Sequence, residues 1–227
     1  MLADPPVADL CSVVSATGAA ASTAWKAAQM SVRTLLGSSL IVEFGRVEDS
    51  RGFFNQTYQA GELERAIGRP LRLRQGNHSR SRRDVLRGFH LEPWDKLVYV
   101  VRGTAFFAVA DLRVDSETFG SVATVLLGDA PGRPARVFVP RGFANAFLCL
   151  TEVDYVNEVS EEFDAANRRG VIWNDPTLGV PWPVVEPVLS ESDRRLPTVA
   201  ELFLDSPRRS NRTSSVPPPE EPSEGGR

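Results

Sequence analysis

The sequence predicts an all-β fold, an antiparallel sandwich or barrel with a few short helices. Short apolar segments recur between about residues 38 and 205, and turn residues separate them. Helical periodicity is scarce over the same region. Of the 227 residues, 42% are hydrophobic, which is enough to build the core of one domain. Many short strands at such close spacing are typical of sandwiches and barrels.

Each predicted strand is a short apolar run bounded by turn-forming or charged residues. In chain order the predicted strands are Leu40–Phe44, Gly52–Tyr58, Leu71–Ser79, Leu97–Arg102, Ala105–Leu112, Ser121–Leu127, Arg136–Val139, Ala146–Leu150 and Asp154–Ser160. Gly103 lies in a predicted hairpin turn, and Pro140 begins a tight connection. Two short helices are predicted, Gly61–Ile67 and Thr198–Leu204, the second following a proline.

The two ends of the chain differ in composition from this central region. Residues 1–29 are rich in Ala and Ser, with acidic residues where a secretory signal would carry positive charge, so we predict a poorly ordered N-terminal extension. Residues 206–227 are rich in Pro, Ser and charge, and we predict a disordered tail. Residues 30–205 then form the single folded domain.

Charge and cysteine content exclude several classes of function. A net charge of -3 provides no cationic field, so we expect no nucleic-acid partner. No run approaches the ~18 apolar residues of a transmembrane helix, so we expect no membrane partner. Cys11 and Cys149 are too few for a disulfide framework, which favours a reducing, cytoplasmic setting.

Few side chains in this chain can carry out proton transfer near neutral pH. The histidines are His78 and His90, and the lysines are Lys26 and Lys96. The remaining cations are arginines, which stay protonated and cannot act as bases. His90 and Lys96 lie close together in sequence, beside apolar strands, and are the leading candidates. For His78 we expect a structural role.

Eight sequence segments occur in an order that resembles one enzyme family. They are DSRGFF (49–54), QGNHSRS (75–81), VLRGFH (85–90), KLVYVVRG (96–103), DLRVDSETFG (111–120), VPRGFANAF (139–147), GVIWNDPTLGVPWP (170–183) and LSESD (189–193). Together they resemble the dTDP-4-dehydrorhamnose 3,5-epimerase family over about residues 30–203. The resemblance implies a cupin-type jelly-roll barrel that forms a homodimer with strands shared across the interface. The nucleotide-sugar substrate would then occupy the barrel mouth.

The resemblance also implies a cofactor-free mechanism of epimerisation next to a ketone. His90 would be the base that takes the alpha proton. Asp175 of the WND segment would orient and stabilise its imidazole, although an Asn-Asp-Pro turn can also use such an aspartate structurally. Lys96 would stabilise the enolate oxygen. No metal is expected, because two histidines cannot supply a multi-histidine site.

Substrate contacts follow from the same matched segments. Arg87 resembles the arginine that binds the diphosphate. The other residues expected to contact the nucleotide or the sugar are Arg51, Phe54, Gln56, Gln75, Asn77, Asn145 and Asn157. Three of these depart from the family pattern, since Gln56 replaces a frequent glutamate, Asn145 a histidine and Asn157 the catalytic tyrosine.

The missing tyrosine leaves the proton donor open. Tyr155 lies two residues before Asn157, on the same face of a regular strand but ~7 Å away along it. Tyr155 could replace the family's acid if a bulge or a different register corrects this displacement. The leading hypothesis is an isomerase that epimerises a nucleotide-linked 4-keto-6-deoxyhexose at C3, C5 or both. The alternatives are a non-catalytic dTDP-sugar-binding homologue and a structural dimer without a ligand.

Overall fold

The structure, a computed structural model, describes residues 30–129 and 134–204 and confirms the all-β prediction. The predictions for residues 1–29 and 206–227, and Cys11, lie outside the described residues. The strands are β1 Ser31–Leu36, β2 Ser39–Glu43, β3 Val47–Asp49, β4 Gly52–Phe54, β5 Gln75–Ser81, β6 Leu86–Leu91, β7 Lys96–Arg102, β8 Thr104–Asp111, β9 Val122–Gly128, β10 Ala135–Val139, β11 Phe143–Cys149, β12 Val153–Val159 and β13 Arg169–Gly170. The helices are α1 Ala60–Ile67, α2 Glu191–Arg194 and α3 Val199–Leu204, with a 3-10 turn at Ala165–Asn167.

The strands form two main antiparallel sheets in a jelly-roll arrangement. One sheet has the order β1-β2-β10-β7-β12-β5, and the other has the order β13-β6-β11-β8-β9. Strands β3 and β4 form a separate two-stranded hairpin. Consecutive strands often lie in different sheets, so the chain crosses repeatedly from one sheet to the other.

The main core lies between the two sheets because each sheet turns an apolar face inward. Val98 and Val137 from the first sheet pack with Phe107 and Phe147 from the second. A second cluster covers the outer face of the second sheet, where Phe89 packs against the C-terminal segment that includes α3. A third cluster forms under α1. These layers leave one end of the space between the sheets open to polar residues.

Four strands were not predicted, and several predicted strands have different limits. Strands β1, β3, β6 and β13 were missed. Strands β3 and β13 are only three and two residues long, and β6 contains Gly88 and alternating polar residues, which weaken a strand pattern. The predicted strand Gly52–Tyr58 ends at Phe54, and Leu71–Ser79 is replaced by Gln75–Ser81. Within the described residues, the helices are too short and too polar to cross a lipid bilayer.

Candidate active site

A cavity of about 380 Å³ opens between the two sheets at one end of the jelly roll. Both sheets contribute to its walls. The lining residues are Gln75, Asn77 and Ser79 of β5, Arg87 and His90 of β6, Glu92, Lys96 of β7, Asn145 and Phe147 of β11, Tyr155 and Asn157 of β12, and Phe163. Eight of the twelve predicted site residues, Tyr155 included, are among them.

An irregularity in β6 brings the base and the arginine to the same cavity. Residues three apart in a regular strand face opposite sides of the sheet. In the pairing of β6 with β11, His90 is opposite Asn145 and Arg87 is opposite Phe147, so β6 contains one extra residue. Gly88 lies in this bulge with φ of 114°, and a Cβ there would lie 2.5 Å from the Asn145 carbonyl oxygen. Glycine therefore permits both the bulge and the close approach of the strands.

The imidazole of His90 is paired with a carboxylate. His90 Nε2 lies 2.9 Å from Asp193 Oδ1, and the His90 side chain is 29% exposed while that of Asp193 is 4% exposed. Burial alone raises the pKa of Asp193, but contacts with His90, the Ser190 hydroxyl and the charge of Arg168 together lower it. Asp193 is therefore a carboxylate at neutral pH, and as an acceptor it fixes the position of Nε2–H of the imidazole. Nδ1 has no hydrogen-bond partner in the described part of the chain.

The predicted pairing of His90 with Asp175 is wrong. Asp175 Oδ1 accepts hydrogen bonds from the backbone N–H groups of Thr177 at 2.9 Å and Leu178 at 3.1 Å. Its Oδ2 accepts a third from Val199 N, the first residue of α3, at 2.8 Å. Both oxygens are thus committed to backbone donors, and the residue is 2% exposed. Asp175 has the structural role of a turn former, joining the WND turn to α3.

Lys96 lies at the base of the cavity with its ammonium group almost completely buried. Its side chain is 2% exposed, and Nζ lies 2.6 Å from Glu92 Oε2. Nζ also donates to Asn145 Oδ1 at 2.7 Å and to the His90 carbonyl oxygen at 3.3 Å. Burial lowers the pKa of Lys96, and the charge and hydrogen bond of Glu92 oppose that change. Three acceptors thus match the three N–H donors of an ammonium group.

A ladder of side-chain amides forms the wall opposite Arg87. Gln75 Nε2 donates to Asn77 Oδ1 at 2.7 Å, and Asn77 Nδ2 donates to Asn157 Oδ1 at 2.9 Å. Arg87 Nε donates to Ser81 Oγ at 2.9 Å, and its guanidinium reaches the cavity. The cavity therefore combines one guanidinium with several neutral donors and acceptors, which suits an anionic, hydroxyl-bearing ligand.

Tyr155 lies in the cavity wall and Asn157 is beside it. The Tyr155 ring stacks on Phe147 with centroids 4.2 Å apart, and the residue is 5% exposed. Its hydroxyl makes no hydrogen bond of standard geometry with the residues that the structure describes, although the nearby Asn145 side chain acts to lower its pKa. Burial, with the charge of Glu92, raises the pKa of this phenol, so it keeps its proton at neutral pH. A register shift occurs between Asp154 and Tyr155 in the pairing with β7, where the extra residue belongs to β7.

Three predicted contact residues lie away from this cavity within the same chain. Arg51 and Phe54 belong to the β3–β4 hairpin and line a separate open depression of about 350 Å³. The Arg51 side chain is 88% exposed and pairs with Asp49. Gln56 follows the hairpin and accepts a hydrogen bond from Gln59 at 2.7 Å. Within one chain, Arg51, Phe54 and Gln56 therefore lie apart from the cavity residues, because the hairpin forms a separate two-stranded sheet.

Sequence reasoning missed two acidic residues of the site. Asp193 belongs to the matched segment LSESD, whose Ser190 caps α2 by accepting a hydrogen bond from Asp193 N at 3.0 Å. That segment was the signal that could have identified it. Glu92 lies on the link between β6 and β7, and only its four-residue spacing from Lys96 hinted at a pair. No group of three metal-binding side chains occurs within residues 30–129 and 134–204.

Comparisons with known proteins agree on one family. The family model described as dTDP-4-dehydrorhamnose 3,5-epimerase matches residues 33–201. The dTDP-4-dehydrorhamnose 3,5-epimerase of Shigella flexneri is 36% identical over 167 residues, which are 71% of this chain and 91% of the relative.

Solved structures of similar proteins have the same fold. A 4-keto-6-deoxy sugar epimerase from the novobiocin biosynthetic gene cluster of Streptomyces spheroides matches with a TM-score of 0.73 and 35% identity, over 76% of this chain and 89% of that one. A dTDP-6-deoxy-D-glucose-3,5-epimerase from Legionella pneumophila, solved with dTDP-4-keto-L-rhamnose, matches with a TM-score of 0.70 and 31% identity, over 75% and 93%. These similarities confirm the cupin-type jelly-roll prediction.

Proposed function

The chain belongs to the dTDP-4-dehydrorhamnose 3,5-epimerase family, and on this premise we propose that it is an isomerase of deoxysugar biosynthesis. Its substrate is a dTDP-linked 4-keto-6-deoxyhexose, in which C3, C5 or both are inverted. The related structure from Legionella pneumophila holds a ligand of this class. The named relatives are enzymes, so the comparisons do not support the alternative of a non-catalytic binding homologue.

The pairing of His90 with Asp193 in an open cavity is the observation that carries this proposal. The carboxylate accepts Nε2–H and leaves the lone pair of Nδ1 available. Nδ1 takes the proton from the carbon next to the keto group, and the imidazole becomes a cation. Asp193 then stabilises that cation, as a carboxylate does behind other catalytic histidines.

Loss of the alpha proton converts the ketone into an enolate, whose oxygen needs a positive partner. Lys96 supplies it from the base of the cavity. The contact of Nζ with the His90 carbonyl is its longest, at 3.3 Å, so the keto oxygen takes the place of this acceptor. A buried cation aimed at a developing oxyanion stabilises it by several kcal/mol, about 10²–10³ in rate.

Inversion requires a proton to reach the carbon from the face opposite His90. Tyr155 is the candidate donor, because its hydroxyl is protonated and makes no hydrogen bond of standard geometry in the described structure. Asn157, at the position of the family's tyrosine, already accepts a hydrogen bond from Asn77 and has no dissociable proton. In the proposed cycle Tyr155 donates its proton and regains one when His90 returns its own through water.

Substrate binding combines the cavity with a second copy of the chain. Arg87 binds the diphosphate and the amide ladder binds the sugar and the base. Arg51 and Phe54, on the exposed hairpin, complete the site of the partner in a homodimer, which accounts for their separation from the cavity of their own chain. A sugar nucleotide and the free thiol of Cys149 are both suited to the cytoplasm. Sedimentation velocity of the purified chain tests the dimer.

Proton NMR in deuterium oxide with dTDP-4-keto-6-deoxyglucose tests the activity. We expect the signals of the C3 or C5 hydrogen to disappear through exchange, and the exchange to stop in His90→Ala. His78→Ala is the matched control, because His78 pairs with Asp154 and its side chain is 60% exposed, outside the cavity. Exchange at the background rate in the parent protein, or equal loss in both variants, would contradict the proposal.

A further inference from the structure

The ammonium group of Lys96 is buried in surroundings that favour its neutral form. Only 2% of the side chain is exposed, and burial of a charge in a poorly polarisable interior favours loss of the proton. A neutral amine gives an enolate oxygen a hydrogen bond but no compensating charge. The proposed reaction therefore depends on what keeps this proton in place.

The groups facing Lys96 supply one negative charge. Glu92 Oε2, at 2.6 Å from Nζ, is the only anionic side-chain atom within hydrogen-bond distance of it in the described residues. Asn145 on β11 is neutral, and the β5 residues that line the cavity, Gln75, Asn77 and Ser79, are neutral as well. The other titratable or charged groups around the cavity are Arg87 and His90 of β6, Asp193 of α2 behind the imidazole, and Tyr155 of β12.

The location of Glu92 makes it well placed for this task. It lies where the chain crosses from β6 in one sheet to β7 in the other, and Lys96 is the first residue of β7. The crossing is fixed at Asp95, whose Oδ1 accepts from Arg69 Nη2 at 2.8 Å and from Arg141 N at 3.1 Å. Glu92 itself is largely buried, with 16% of its side chain exposed. Such a held carboxylate fixes both the charge and the direction of the ammonium group.

We propose that Glu92 is a positioning residue that keeps Lys96 as an ammonium ion aimed at the keto oxygen. This inference rests on the proposed function, because it assigns a purpose to the charge on Lys96. Glu92 does not touch the reacting atoms and acts through Lys96. The ion pair also leaves the two side chains neutral overall before the reaction.

The first test measures the protonation of Lys96 without any substrate. The chain has two lysines, so protein labelled with lysine carrying ¹³C at Cε, in a Lys26→Arg background, has a single labelled side chain. We expect its chemical shift at pH 7 to be that of an ammonium ion. In Glu92→Gln, which keeps the side-chain shape, the resonance should titrate at a lower pH than in the parent, while Glu92→Asp should remain closer to the parent.

The second test measures deuterium exchange of dTDP-4-keto-6-deoxyglucose against pH. We expect the alkaline limb of the rate profile to move to lower pH in Glu92→Gln, with a loss of about 10²-fold at the pH where Lys96 has become neutral. Binding of dTDP by calorimetry should change less than threefold. A rate that falls equally at every pH would indicate a merely structural role and overturn the proposal.

The outcomes separate this inference from the proposed function. An amine-like chemical shift for Lys96 in the parent, or the same titration in the parent and in Glu92→Gln, overturns the inference whether or not the protein is an epimerase. If Glu92→Gln does not fold, the parent's own shift at pH 7 still decides against the proposal when it is that of an amine. A shifted titration without any deuterium exchange in the parent overturns the proposed function and, with it, the catalytic purpose of Glu92.

Discussion

Replacing Asp193 with asparagine removes the negative charge behind His90 with almost no change in shape. Two unit charges at the observed 2.9 Å attract by about 6 kcal/mol at an effective dielectric of about 20. His90 is 29% exposed, so water screens the pair, and we take half of that value, about 3 kcal/mol. This corresponds to a rate about 10²-fold lower. The asparagine amide can also present N–H to Nε2, which stabilises the wrong tautomer and adds to the loss.

The assay is the rate of deuterium exchange at C3 and C5, with calorimetric titration of dTDP to separate binding from chemistry. We expect Asp193→Asn to bind within about threefold of the parent, because the loss falls on the transition state. Asp175→Asn is the matched control: it weakens the attachment of α3 by about 1–2 kcal/mol and lowers the melting temperature by roughly 2–6 °C, with little change in exchange rate. Exchange in Asp193→Asn within threefold of the parent would refute the reasoning.

Three further predictions concern single positions. In Tyr155→Phe we expect deuterium exchange to continue and the rate of inversion to fall about 10²-fold. The melting temperature should stay the same, because the hydroxyl makes no hydrogen bond of standard geometry in the described structure. Unchanged product formation would exclude Tyr155 as the proton donor. Burial raises the pKa of Asp111, but hydrogen bonds from a guanidinium and two hydroxyls lower it by more, so the net change is downward. The ionised Asp111 therefore stabilises the fold above about pH 4, and this contribution is lost as the pH falls. Asp111→Asn should therefore cost about 3 kcal/mol at pH 7 and less at pH 2, by urea unfolding. Gly88→Ala should destabilise by more than about 3 kcal/mol, because its Cβ would lie 2.5 Å from the Asn145 oxygen, whereas Gly76→Ala, whose Cβ meets nothing within 4 Å, should not.

Local patterns in the sequence were enough for the fold but not for β6. Most strands could be predicted because their apolar runs are bounded by turn residues, and the confirmed helix Ala60–Ile67 follows the same logic. Strand β6 could not, because an RG pair and alternating polar residues hide its pattern. Two-residue alternation also places Arg87 and His90 on opposite faces. The bulge that unites them depends on the close approach of β11, which is a tertiary contact.

The partner of His90 shows a second limit. Asp175 and Asp193 are both aspartates in matched segments, and nothing in their immediate sequence tells which one approaches an imidazole about a hundred residues earlier. Backbone donors make the difference, because the N–H groups of Thr177, Leu178 and Val199 already occupy both oxygens of Asp175. Glu92 was missed for a similar reason, because a charged residue before a proline resembles an ordinary solvated turn.

The extra residue in β6 also limits how the length of this chain can vary. Deleting or inserting one residue between Arg87 and His90 would turn either the guanidinium or the imidazole out of the cavity. The cavity would then lack either the diphosphate-binding arginine or the base. Connections such as residues 44–46 or 113–121 can gain or lose residues without this effect. Tolerance of insertions should therefore be lowest in a strand of six residues that no apolar pattern marks as special, and a scan of single-residue insertions would map it.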